Sequence, residues 1–142
     1  GATLALWEPR AHAGVGVRDD PGSLVWNELA TTDTEAARRF YTGLFGWSTT
    51  TMDMGMEYTT FMNGEIPAGG MFAITDEMKG MPPMWLPYFA VEDADAAAAR
   101  AKELGAEVHV PPQDVPGVGR FAMLMDPQGA VFYVIRMAPM EG

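Results

Sequence analysis

Cys and His, which often bind transition metals or act as nucleophiles and bases, are scarce in this sequence. The 142 residues include no Cys and two His, His12 and His109. Thiolate metal sites, disulfides and thiol nucleophiles are therefore excluded. A non-haem iron site needs two His and one carboxylate on one face. His12 lies in an irregular N-terminal segment and His109 on a short predicted strand ahead of Pro111 and Pro112, so we do not expect the two imidazoles to converge.

Glu28 is the carboxylate that best fits a chemical role. It follows Trp26 by two residues, so the alternation of a strand places both side chains on one face. Apolar neighbours there would raise the pKa of Glu28 and suit it to ligand contact or proton transfer. The alternative is a partly solvated carboxylate at the rim of a cavity or at a sheet edge.

Composition and charge limit the classes of partner. Hydrophobic residues make up 48% of the chain and charged residues 20%, which is typical of a soluble globular domain. The net charge of -10 repels phosphate backbones and anionic lipids, so neither nucleic acid nor membrane partners are expected. With no signal pattern and no long apolar run, we expect a cytoplasmic protein. The 12 Met, 4 Trp, 4 Tyr and 7 Phe suit either a core or an apolar pocket.

An internal repeat predicts the elements that position these residues. Residues 28–38, ELATTDTEAAR, align with residues 88–98, YFAVEDADAAA. Each half predicts a strand, a helix and three strands: module one at about 23–75 and module two at about 84–137, joined by a linker at 76–83. Residues 1–22 form an arm or linker ahead of the domain, which extends over 23–142. The expected fold is α+β, with both βαβββ modules forming a curved mixed sheet around a concave cavity and the helices outside.

Local signals set the bounds of these elements. The first helix contains apolar residues at helical spacing up to Phe45, a capping box of Thr32 and Glu35, and a stop at Gly46. The second follows Asp93 and ends before Gly105. The strands that follow the helices are predicted at 49–53, 58–62, 70–75, 107–110, 120–125 and 131–137.

Three motifs in this double module resemble the vicinal oxygen chelate superfamily of glyoxalases, bleomycin and fosfomycin resistance proteins and extradiol dioxygenases. They are Asp33 with its Ala36-Ala37 helix, residues 40–47 (FYTGLFGW) and residues 126–129 (DPQG). The arm ahead of residues 26–29 (WNEL) resembles the linker of actinobacterial tandem-domain proteins. That resemblance implies one half of a longer two-domain protein, and pairing either with a second like domain or as a homodimer.

The resemblance also implies where a metal centre would lie. Metal-using members carry His, Gln or Glu at four inward positions, which correspond here to Trp26, Gly70, Leu86 and Tyr133. None of these side chains offers an imidazole or a carboxylate, the donors that divalent ions need. We therefore expect no metal and no other cofactor.

Strand alternation from these anchors predicts the side chains of the cavity. From module one it includes Tyr58, Phe61 and Met71, whose facing the sequence leaves open. The full set of expected ligand-binding residues is Trp26, Glu28, Tyr58, Phe61, Met71, Leu86, Tyr88, Phe121, Met123 and Tyr133. Such a lining suits a flat apolar or aromatic ligand. The alternative is that these side chains simply pack the inside of a closed sheet.

Three functions remain open at this stage. The first is metal-independent binding of a hydrophobic, aromatic small molecule, of the drug-sequestering or antibiotic-resistance type. The second is a glyoxalase-like or natural-product tailoring enzyme (a lyase, isomerase or oxygenase), either with an atypical metal site or metal-free with Glu28 as general base and Tyr133 as acid or oxyanion donor. The third is a structural half-domain whose cavity is filled by its own side chains. The sequence favours binding over catalysis.

Overall fold

The α+β class predicted from the repeat is confirmed by a computed structural model, which describes residues 1–139. Residues 140–142 of the predicted domain lie outside the described residues. In chain order the elements are β1 (Leu24–Thr31), α1 (Thr34–Phe45), β2 (Ser48–Asp53), β3 (Glu57–Asn63), β4 (Ile66–Ala73), β5 (Met84–Ala90), α2 (Ala94–Glu103), β6 (Glu107–Val115), β7 (Gly119–Met125) and β8 (Val131–Met137). A short 3-10 turn at Asp76–Met78 lies in the predicted linker.

The chain forms two compact units, one of residues 1–8 and 26–86 and the other of residues 9–25 and the chain from Pro87 onward. The predicted arm is thus divided between them. In the first unit the strand order is β2-β3-β4-β1, with β1 parallel to β4. In the second it is β6-β7-β8-β5, with β5 parallel to β8. Both modules therefore have the same βαβββ connectivity.

Helix α1 covers one face of the first sheet. Its Tyr41 packs with Leu29, Phe61 and Met71 in a cluster in which each side chain is at most 5% exposed. Burying an apolar side chain of this size stabilises the fold by about 1.5–3 kcal/mol. This cluster is the core of module one.

Helix α2 covers the second sheet with smaller side chains. Its Ala98 packs with Ala122, Leu124 and Val134. Alanine combines high helix propensity with a short side chain, so the helix lies close to the strands. On the surface, Arg120 of β7 binds Asp95 of α2 at 2.9 Å and Asp114 of β6 at 3.2 Å. The hydrogen bond from Arg120 lowers the pKa of the Asp95 carboxyl below its ordinary value.

Both helices begin at an aspartate. Asp33 accepts a hydrogen bond from the Ala36 backbone N–H at 2.9 Å, and Asp93 accepts one from Ala96 at 3.0 Å. The predicted capping box at Thr32 is therefore wrong by one residue, because the Asp33 carboxylate reaches the orphan N–H groups of the first turn.

Strand β6 continues beyond its predicted end. The sequence placed that end at Val110, ahead of two prolines, yet the strand extends to Val115. β6 lies at the edge of its sheet, and its register against β7 shifts twice, between Val108 and Val110 and between Val110 and Gln113. Edge positions and bulges tolerate proline because no ladder hydrogen bond is lost there.

Of the helices in residues 1–139, neither is long and apolar enough to cross a membrane.

We expect Asp33→Ala and Asp93→Ala each to lower the free energy of unfolding by about 1 kcal/mol, because each removes the side-chain acceptor of a helix N-terminus. Chemical denaturation measures the loss. Glu65→Ala is the charge-matched control, since this exposed carboxylate lies in the β3–β4 hairpin and caps neither helix. Equal stabilities for the three variants would contradict the capping role.

Candidate functional site

The face of module one opposite α1 contains the strongest candidate site. Leu29 packs under the helix, so alternation along β1 turns Trp26 and Glu28 to the other face. Glu28 is in register with Gly70 of the parallel strand β4. Module two has the corresponding pair of register partners, Tyr88 of β5 and Tyr133 of β8.

Tyr58 fills the space above Gly70. A Cβ atom at Gly70 would lie 1.8 Å from the Tyr58 hydroxyl oxygen, which is far inside van der Waals contact. The Trp26 indole N–H donates to the same oxygen at 3.0 Å. Only glycine at position 70 leaves room for this arrangement, and the bond from Trp26 fixes where the hydroxyl lies.

Glu28 is held within this cluster. It is 7% exposed, so it is a buried carboxylate rather than a solvated one at a sheet edge. Its register partner is Gly70, over which the Tyr58 hydroxyl lies. A buried carboxylate and a phenol thus lie on the same face of this sheet, and both are groups that can take part in proton transfer.

A second cluster lies on module two. The rings of Tyr88 and Tyr133 stack with centroids 4.2 Å apart and planes 2° apart, and the Phe121 ring lies 5.7 Å from that of Tyr133. Met123 is the register partner of Tyr133 on β7 and shares its face. The structure thus brings these four predicted residues together, while Leu124 and Val134 pack under α2 on the opposite face.

Two of the other predicted residues lie elsewhere. Phe61 and Met71 are buried under α1 in the core of module one, away from the face of Glu28. Phe72 is on the face of Glu28 instead, because it is the register partner of Tyr58. Leu86 lies on β5 and is fully buried. Phe72 and the Trp26–Tyr58 bond were missed by sequence reasoning.

The four positions at which the family would bind a metal do not fit one. Trp26, Gly70 and Leu86 supply no donor atom of the kind that divalent ions prefer, and the fourth residue, Tyr133, supplies a phenol in place of an imidazole or a carboxylate. At Gly70 the hydroxyl of Tyr58 takes the place that a ligand side chain would need. Among residues 1–139, no three His, Asp or Glu side chains come together in a way that could hold an ion.

The model of the Glyoxalase/Bleomycin resistance protein/Dioxygenase superfamily matches residues 11–134. The chain belongs to this superfamily. The resemblance inferred from the three sequence motifs is confirmed, and the strand–helix–three-strand module found twice in the structure agrees with it.

Two curated relatives are about twice as long as the chain. It is 41% identical over 143 residues to the putative glyoxylase CFP32 of Mycobacterium bovis, covering 99% of this chain and 54% of that protein. It is 40% identical over 136 residues to the anthracycline biosynthesis protein DnrV of Streptomyces peucetius, covering 86% and 50%. The chain therefore spans about half the length of these relatives.

Solved structures share the fold at low identity. Methylmalonyl-CoA epimerase from Mycobacterium tuberculosis superimposes with a TM-score of 0.56 at 16% identity, over 82% of this chain and 88% of that one. Hypothetical protein BH1468 from Bacillus halodurans gives 0.62 at 14%, over 84% and 97%. At such identities the likeness concerns the fold.

We expect Gly70→Ala to displace the Tyr58 ring and break its hydrogen bond from Trp26, because the added methyl needs the space of the hydroxyl. The Trp26 indole N–H resonance reports this, and it should move as it does in Tyr58→Phe, which removes the acceptor. Gly43→Ala is the control, since a Cβ at this helical glycine has open space. An indole resonance that Gly70→Ala leaves in place would refute the packing of Tyr58 over Gly70.

Proposed function

We propose that this protein binds a hydrophobic, aromatic small molecule without the help of a metal ion. The observation that carries the proposal is the closed position at Gly70, where the Tyr58 hydroxyl occupies the space of a metal-binding side chain. The residues at the other family positions support it, because Trp26, Leu86 and Tyr133 favour contact with an apolar ligand over coordination of an ion. Sequestration of a drug or natural product, as in resistance proteins of this superfamily, is the activity that suits such a site.

The stacked pair in module two supports an aromatic ligand. Tyr88 and Tyr133 already lie at a stacking distance, and Phe121 stands tilted beside them. Offset stacking on such a pair stabilises a further flat ring by about 0.5–1.5 kcal/mol beyond the apolar area that is buried. The name of the relative DnrV points in the same direction, since anthracyclines are flat polycyclic aromatic compounds. Pairing with a second copy or a second like domain stays a prediction.

Doxorubicin, an anthracycline with its own fluorescence, is a suitable probe. We expect its anisotropy to rise on titration with the protein, and Tyr88→Leu to weaken the affinity about threefold to tenfold by removing one stacked ring. Phe89→Leu is the matched control, because the neighbouring side chain on β5 packs against Phe132 on the other face. We expect excess chelator to leave the affinity unchanged.

Two outcomes of this titration would overturn the proposal. If doxorubicin and other flat aromatic compounds gave no rise in anisotropy with the folded protein, aromatic binding would be refuted. If chelator abolished binding and a divalent cation restored it, the metal-independent mode would be refuted.

A metal-free enzyme is the second candidate, and the burial of Glu28 beside the Tyr58 hydroxyl favours it. In that case we propose that Glu28 acts as general base with a tyrosine hydroxyl as proton donor. Tyr58 is a candidate donor beside the predicted Tyr133, because its hydroxyl lies over Gly70, the register partner of Glu28. Incubation of the protein with a bound aromatic compound, followed by mass analysis, tests for turnover. Glu28→Gln should then abolish turnover while binding persists, and equal product from both proteins would exclude Glu28 as the base.

A further inference from the structure

A separate cavity of about 240 Å³ lies in the first unit, on the α1 side of the sheet. Its walls are the rings of Tyr41 and Phe45 from α1, Trp47 just after the helix, and Trp85 from β5. Asn27 of β1 lines it too, and Asn27 and Glu28 are adjacent in the strand, so their side chains point to opposite faces. The cavity is therefore distinct from the candidate site around Glu28.

The four aromatic rings contact one another in the order Trp85, Tyr41, Phe45 and Trp47. Tyr41 and Trp85 meet edge to face, with centroids 5.2 Å apart and planes at 83°. Phe45 and Trp47 lie 4.5 Å apart at 30°, and Tyr41 and Phe45 are nearly parallel. Tyr41 and Trp85 thus make a right-angled corner at one side of the open pocket, and such a corner receives a compact, rounded group better than a flat one.

The polar atoms of the walls are already oriented. The Trp85 indole N–H donates to the Tyr41 hydroxyl oxygen at 3.0 Å, so this N–H is already hydrogen-bonded to another lining residue. The Asn27 side-chain amide donates to the Ala68 carbonyl at 3.2 Å, which leaves its Oδ1 as the acceptor end. Among the described lining residues, completed by Thr3 and Leu4, no side chain is charged.

We propose that this cavity binds a small molecule with a quaternary ammonium group. Faces of Trp, Tyr and Phe attract a cation through their quadrupoles, most strongly where water is displaced, and cages of such rings are the usual recognition device for choline-like groups. Only one aliphatic side chain, Leu4, lines the cavity, whereas a site for a neutral apolar molecule would be served equally well by aliphatic walls. The net charge of -10 favours the approach of a cation.

Choline and its neutral carbon isostere, dimethylbutanol, test the proposal because they differ in charge and not in shape. We expect choline to bind, with an upfield shift of its methyl protons from the surrounding ring faces, and the isostere to bind at least threefold more weakly. Equal affinity for the two compounds would show a merely apolar cavity and overturn the proposal. So would the absence of any choline shift with the folded protein.

Phe45→Leu keeps an apolar side chain of similar reach and removes one ring face. We expect it to weaken choline binding about threefold to tenfold. Phe40→Leu is the control on the same helix, since Phe40 is 57% exposed and is not among the lining residues. Tyr88→Leu should also leave choline binding unchanged, so that this proposal and the aromatic-ligand proposal fail separately. An unaltered affinity in Phe45→Leu would overturn the aromatic cage.

Discussion

The pairing of parallel strands inside each module is the constraint on which the rest of the structure depends. In module one β1 pairs with β4, and in module two β5 pairs with β8, each pair spanned by a helix that must lie on one face. Side chains alternate along both partners. Because the side chains of Leu29 and Met71 point toward helix α1, the neighbouring positions Glu28 and Gly70 both face the other side of the sheet.

This constraint explains why the residue at position 70 decides which side chain lies on the face of Glu28. Gly70 is the register partner of Glu28, so a side chain at position 70 would lie on the same face as Glu28. Because glycine supplies none, the longer side chain of Tyr58 extends over it from β3, and Trp26 fixes the hydroxyl by a hydrogen bond. The face of Glu28 thus carries a phenol with a defined position at Gly70, and the strand pairing is unchanged.

Sequence reasoning predicted module two better than module one, and the hairpins show why. The turn at residues 126–129 leads into an uninterrupted β7–β8 register, so counting along the strands gives the correct face for Phe121, Met123 and Tyr133. In module one the β3–β4 register shifts between Phe61 and Met62. Counting back from the hairpin without that bulge pairs Tyr58 with Met71, whereas the structure pairs it with Phe72.

The sequence contains no pattern that predicts this bulge in the β3–β4 hairpin. The repeat fixed both helices and the order of strands because those depend on periodicity and capping, which are local. The facing of Phe61 and Met71 depends on one extra residue in a ladder, which the sequence leaves open. The contact between Trp85 and Tyr41, 44 residues apart, was equally beyond local reasoning because it requires the packed helix.

The same alternation turns two groups of side chains with different chemistry to opposite faces of one small module. Asn27 and Glu28 are neighbours in β1. Asn27 lines the aromatic pocket on the α1 side, whereas Glu28 lies on the face of Trp26 and Tyr58. Between the faces lie only the strand backbones, whose polar groups are occupied in the sheet ladders. A buried carboxylate and a cage that attracts cations would compete if they shared a face, since each is the other's best partner. The sheet therefore separates the buried carboxylate from the aromatic pocket that we propose to bind a cation.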